Sequence, residues 1–171
     1  MDFKQHIRMI PDFPIPGIEF RDITTALKDP QALSSSIQAM KTFLKDIPYD
    51  IVIGPESRGF IYGVPLAVAS GVGFVPARKP GKLPAKTISK TYDLEYGTNT
   101  IEIHQDAIKP GQRIVIADDL LATGGTCKAV CDLVKEAGAT VVANVFFIEL
   151  LELNGRGILE EYGDVFSVVQ Y

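Results

Sequence analysis

At 171 residues the chain is long enough for one well-cored domain and short for two, so a single domain over 1–171 is expected. Its hydrophobic share of 46% and charged share of 22% fit an ordinary globular protein, and the net charge of −4 argues against nucleic acid as a partner. No run approaches the roughly 18 apolar residues of a membrane span, and Met-Asp-Phe-Lys-Gln-His at the start lacks a signal peptide's apolar core, so a cytoplasmic chain without a membrane partner is expected.

In chain order, Asp29-Pro30 followed by Leu33, Ile37, Met40 and Leu44 predicts an amphipathic helix, with Asp29 as N-cap and Pro30 in the first turn. Ile51-Val52-Ile53 predicts a short buried strand ending at Gly54. The loop Pro55-Glu56-Ser57-Arg58-Gly59 then leads into a helix over 60–69, and a second short strand covers 73–77. The stretch 78–103 is rich in Lys, Thr and Gly and alternates in Thr100-Ile101-Glu102-Ile103, which predicts a β-flap carrying exposed loops. Lys109-Pro110-Gly111 predicts a turn before a strand over 113–117. After Thr126, the residues Cys127, Val130, Cys131, Val134 and Ala137 share one helical face, closed by Gly138, and 140–148 is a continuous apolar strand. Cys127 and Cys131 are the only cysteines. Four apart in a helix, they suit neither a disulfide nor, without further Cys or His partners, a zinc site. Two buried free thiols are expected, as in a reducing compartment. Short apolar strands alternating with helices favour an α/β fold with a parallel sheet covered on both faces.

The chemistry concentrates in Val115-Ile116-Ala117-Asp118-Asp119-Leu120-Leu121-Ala122-Thr123-Gly124-Gly125-Thr126. In a parallel sheet, ligands gather beyond the carboxyl ends of the strands, where Asp118 and Asp119 are expected. The loop Ala122, Thr123, Gly124, Gly125, Thr126 precedes a helix, so its backbone N–H groups and hydroxyls can converge on an anion. It is no Walker loop, because the Lys is missing, and no GxGxxG fingerprint occurs. Two carboxylates repel a phosphate, so they serve another part of the ligand; ionised carboxylates accept hydrogen bonds from a diol. Phosphate and diol close together describe a ribose 5-phosphate. Taken alone, the acidic pair is equally a cap or a solvated loop, and the Thr-Gly-Gly-Thr run an ordinary turn. Their order after a hydrophobic strand is the specific signal.

This stretch resembles the phosphoribosyl-pyrophosphate signature of the type I phosphoribosyltransferases, and its DDLLATGGT wording is especially similar to the adenine-specific branch. Five further segments carry the likeness through most of the chain: DFPIPGIEFRDIT (12–24), GPESRGF (54–60), RKPGKLP (78–84), YDLEYG (92–97) and FFIELLELNGR (146–156). The resemblance implies a parallel, Rossmann-like sheet flanked by helices, with a β-flap and an N-terminal base-covering segment. It implies purine salvage: adenine and phosphoribosyl pyrophosphate give AMP and pyrophosphate. It also implies a homodimer.

The site residues follow from the same resemblance. Pyrophosphate needs cationic and backbone donors, and Ser57 and Arg58, in a second strand-to-helix loop, are candidates because a guanidinium forks onto phosphate oxygens. The resemblance adds Lys82 and Tyr96 to that group, with Arg78 reaching a neighbouring subunit's site. Charge on the leaving group calls for Mg²⁺ held by substrate and water, with no direct protein ligand. Glu95, on a flap closing over the substrates, becomes the proton-exchanging group, while Asp118 and Asp119 hold the ribose hydroxyls and favour an oxocarbenium-like transition state. The main chain of Glu19 and Arg21 reads adenine, with Phe20 and Leu150 as apolar surface; no Lys or Arg in 141–151 offers itself to an oxopurine. Two alternatives remain open at this point: a relative acting on xanthine or another base, and a non-catalytic sensor of phosphoribosyl pyrophosphate. The second would be expected to carry a basic helical module that residues 1–50 do not show.

Overall fold

Near its start the chain makes local structure from short polar contacts. In the computed structural model, which describes residues 1–93 and 97–171, β1 (Arg8–Ile10) and β2 (Phe20–Asp22) form an antiparallel pair, followed by α1 (Thr24–Lys28) and α2 (Pro30–Phe43). Asp22 is nearly buried, takes Thr24 N–H at 2.9 Å and Arg8 Nε–H at 2.9 Å, and has its pKa lowered to about 2 by those bonds, the Thr24 backbone first. Asp29 caps α2 as expected, accepting from Gln31 N–H at 2.9 Å and Ala32 N–H at 3.1 Å. Contacts divide the chain into two compact units, Met1–Ala39 and Met40–Tyr171.

The larger unit is built on five parallel strands. They are β3 (Ile51–Pro55), β4 (Gly73–Ala77), β7 (Arg113–Leu121), β8 (Thr140–Glu149) and β9 (Asp164–Gln170), in the spatial order β4-β3-β7-β8-β9. The helix α3 (Gly59–Ser70) connects β3 to β4, and α4 (Gly125–Glu136) connects β7 to β8. A separate antiparallel hairpin, β5 (Thr87–Asp93) and β6 (Thr98–His104), is the expected flap.

The core collects the apolar runs that the pattern marks: Ile53, Ile114, Ile116, Val130, Val134 and Phe146 are all buried, and Leu133 joins them. Cys127 and Cys131 are free and buried, as expected, and both thiols donate to Asn144 Oδ1, at 3.3 and 3.5 Å. Gly138, at φ +77°, turns the chain out of α4 in a conformation that a Cβ would strain.

Two expectations need correction. The strand predicted to end at 117 continues through Asp118 and Asp119 to Leu121, because its ladder with β8 runs to the pair Leu121–Glu149 and backbone pairing is indifferent to side-chain polarity. The edge strand β9 has no counterpart in the periodicity reading. Its side chains Val165 to Val168 are all half-buried, so no clear alternation marks it.

Candidate functional site

Sheet topology fixes where a ligand can enter. From β3 the chain winds outward to β4, and from β7 it winds the other way to β8, so the loops after β3 and β7 diverge at adjacent carboxyl ends. Such a reversal leaves a crevice in open α/β sheets. Here it is a cleft of about 340 Å³, lined by Glu56, Ser57 and Arg58 from one loop, Asp118 and Asp119 from β7, residues 122–124 from the other loop, Gly125 and Thr126 from the first turn of α4, and Phe146 from β8. That volume suits a small ligand.

Nine of the residues singled out from sequence therefore share one cleft: Ser57, Arg58, Asp118, Asp119, Ala122, Thr123, Gly124, Gly125 and Thr126. Gly124 is the N-cap of α4, at φ +82°, and supplies no side-chain cap, so the helix opens on bare backbone donors and the positive end of its dipole. Thr123 is exposed, and the Thr126 hydroxyl bonds the Tyr92 hydroxyl of β5 at 3.0 Å.

The acidic pair is electrostatically tense. Asp118 Oδ1 accepts Asp119 N–H at 2.8 Å. Burial and then the adjacent Asp119 charge push the Asp118 carboxyl well above the ordinary range. Burial also raises Asp119, although Arg58, with Nε 3.0 Å from Asp119 Oδ2, pulls the other way. That contact is an ion pair without hydrogen-bond alignment, so Asp119 Oδ2 is a buried acceptor with no hydrogen-bond donor among the described residues. Such an atom is costly unless a donor reaches it. A ligand hydroxyl is one suitable donor.

Other candidates are placed elsewhere. Arg78 follows β4, exchanges backbone bonds with Glu102, and donates through Nε to Glu56 Oε2 at 2.7 Å; Glu56 itself lines the cleft. Burial would raise Glu56, but Arg78 and the Lys79 backbone N–H outweigh it and hold the carboxyl below its usual range. Lys82 is exposed, and its carbonyl accepts from Arg78 Nη1 at 3.3 Å. Glu95 and Tyr96 lie outside the described residues. Glu19, Phe20 and Arg21 belong to the first unit, with Phe20 against Phe13 edge-to-face at 5.1 Å. Leu150 is half-buried in the second, its N–H donating to Leu121 O at 2.9 Å.

Sequence reasoning did not find Glu56, Phe146 or the turn that underlies the glycine loop. At that turn the backbone of Gly155 lies so close that a Cβ there would meet Ala122 O at 2.2 Å. The segment FFIELLELNGR held the signal, but nothing in its spacing says that residue 155 backs residue 122.

Comparison with known proteins agrees across the whole length. Residues 24–169 match the phosphoribosyl transferase domain family. A curated adenine phosphoribosyltransferase of Clostridium botulinum is 56% identical over 171 residues, covering 100% of this chain and 99% of its own. The crystal structure of adenine phosphoribosyltransferase from Thermoanaerobacter pseudethanolicus superposes with a TM-score of 0.96 at 51% identity, covering 99% of this chain and 98% of that one. The Saccharomyces cerevisiae enzyme, complexed with an imino-altritol bisphosphate and adenine, superposes at 0.92 with 38% identity over 98% of this chain and 96% of its own.

Proposed function

The chain belongs to the adenine phosphoribosyltransferases, within the phosphoribosyl transferase domain family, and on that premise we propose how its cleft divides the work. The reaction moves the 5-phosphoribosyl group from phosphoribosyl pyrophosphate to adenine, giving AMP and pyrophosphate. A base nitrogen forms the new bond to the anomeric carbon with inversion, the carbon–oxygen bond to pyrophosphate breaks, and the base proton leaves.

The 5-phosphoryl end nests in loop 122–126, where the uncapped start of α4 supplies backbone donors. The ribose hydroxyls donate to Asp118 and Asp119. The observation that carries this assignment is the buried Asp119 Oδ2, which accepts no hydrogen bond among the described residues and belongs to a residue that lines the same cleft as that loop. As the bond to pyrophosphate stretches, positive charge grows on the sugar ring, and carboxylates already fixed in the cleft stabilise it without reorganising. Ser57 and Arg58 hold the pyrophosphate.

The remaining roles rest on family resemblance. Glu95 exchanges the proton with the base, Tyr96 and Lys82 bind pyrophosphate, and Arg78 serves the neighbouring site of a homodimer. Adenine is read by the main chain of Glu19 and Arg21, with Phe20 and Leu150 as apolar surface. The cleft's carboxylates are hard oxygen donors of the kind that hydrogen-bond Mg²⁺-bound water, so they fit an ion carried in by the substrate's phosphates. When bound, Mg²⁺ neutralises charge on the departing pyrophosphate. No helix among the described residues is long and apolar enough to cross a membrane, and we assign the enzyme to the cytoplasm, as one 1–171 catalytic domain.

Ribose 5-phosphate, which carries phosphate and hydroxyls but no base, tests the assignment. Backbone amide resonances of 123–127 should shift on saturation, and Asp118→Asn should weaken binding by roughly 10-fold, the scale of one hydrogen bond to a charged group. Shifts confined to other loops would refute it.

A further inference from the structure

We propose that Gly155 and Arg156 are positioning residues for the phosphate loop, holding loop 122–126 at the height its ligand requires. The proposal rests on the reading that this loop takes the 5-phosphoryl group. Neither residue lines the cleft. Their influence is exerted from behind it.

The contact is backbone on backbone. A Cβ at Gly155 would lie 2.2 Å from Ala122 O, and 2.9 Å from both Thr123 C and Leu121 Cδ1. No side-chain rotation relieves the first or second of these, so the loop itself must move. From the other side, a Cβ at Gly124 would lie 2.9 Å from Gly155 O and 3.1 Å from Ile158 Cδ1. The two glycines therefore let the two segments approach: Gly155 leaves space for the main chain of Ala122 and Thr123, and Gly124 for the main chain of Gly155.

Arg156 fixes the height of that support. Its Nε donates to Glu149 Oε1 at 2.9 Å, its Nη2 to Glu149 Oε2 at 2.5 Å, and its Nη1 to Val165 O at 2.6 Å. Ser167 Oγ and Gln170 Nε2 also donate to Glu149 Oε2, at 2.6 and 3.1 Å. Burial would raise the Glu149 carboxyl, but these bonds, Arg156 first, lower it. Glu149 pairs with Leu121 at the final rung of the β7–β8 ladder, one residue before the loop begins. The forked guanidinium thus ties the turn bearing Gly155 to the root of the loop and to β9, a geometry that Lys cannot reproduce.

Gly155→Ala and Arg156→Lys test this beside Thr123→Ala, which removes a hydroxyl from the loop itself. The readouts are AMP affinity by calorimetry, KM for each substrate, kcat and melting temperature. Displacing a binding loop by about 1 Å can cost up to 10²-fold. Gly155→Ala should weaken AMP and raise KM for phosphoribosyl pyrophosphate at least 10-fold, with KM for adenine within twofold. Arg156→Lys should move the same two quantities by about 3- to 10-fold, and decides the matter alone if Gly155→Ala does not fold. A folded Gly155→Ala with AMP affinity within twofold of the parent, while Thr123→Ala loses affinity, overturns the proposal and leaves the loop reading standing. Unchanged AMP affinity in all three variants overturns the loop reading as well. A loss spread equally over both substrates and tracking the melting temperature makes the two residues merely structural, and also overturns it.

Discussion

Arg58→Gln isolates the charge that makes the acidic pair tolerable. Arg58 Nε lies 3.0 Å from Asp119 Oδ2, and the Asp119 side chain is 5% exposed while that of Arg58 is 42% exposed. At an effective dielectric constant of about 20, unit charges at that separation attract by about 5 kcal/mol. Solvent around the half-exposed guanidinium reduces the net effect to about 1–3 kcal/mol. For a chain of this size, a central value of about 2 kcal/mol is a melting-temperature loss of roughly 4–8 °C. The sign of the pH dependence follows from Asp119, whose folded pKa is raised by burial despite Arg58. Removing Arg58 raises it further. A carboxyl with a raised folded pKa costs nothing below its unfolded value and destabilises increasingly as pH climbs through the folded one. Ligand-free melts should therefore show a larger loss at pH 8 than at pH 5. Arg58→Gln/Asp119→Asn should recover most of the difference between the two pH values. Equal losses at pH 5 and pH 8, or none at pH 8, would refute the argument that Arg58 compensates a buried charge.

Two further outcomes are expected. Glu95→Gln should lower kcat by roughly 10²-fold or more, the scale of general acid–base catalysis, while leaving AMP affinity within a few-fold; an unchanged single-turnover rate removes Glu95 from the chemistry. Asp22, with its pKa held at about 2 by the Thr24 backbone and Arg8, contributes stability that is present above its ordinary value of 3.8 and disappears as pH falls through about 2. Asp22→Asn should accordingly melt lower than the parent at pH 7, with the gap narrowing below pH 4; a gap independent of pH contradicts that origin.

What the sequence determined by itself is local or carried by motif. The cap at Asp29, the turn at Gly138 and the buried thiols are written in neighbouring residues, and the structure places each where the pattern puts it; the glycine stretch is equally local, although α4 begins within it at Gly125 and not after Thr126. The acidic pair and the loop 122–126 were legible together because six residues of backbone cannot separate them far. A ribose 5-phosphate is the ligand inferred for them because phosphate takes donors, whereas a diol donates to carboxylate acceptors.

Only the tertiary structure decided the rest. β7 continues through Asp118 and Asp119 because β8 pairs with it, and no property of the two aspartates announces that partner. Arg58, 61 residues before Asp119 in the chain, becomes its counter-ion only when β3 and β7 lie side by side. Gly155 stands in FFIELLELNGR with nothing to mark its partner; its closeness to Ala122 exists only after β8 has run beside β7 and the chain has turned back. Periodicity reports which face of an element is apolar, whereas the pairing of distant elements is settled by the free energy of the whole packed sheet.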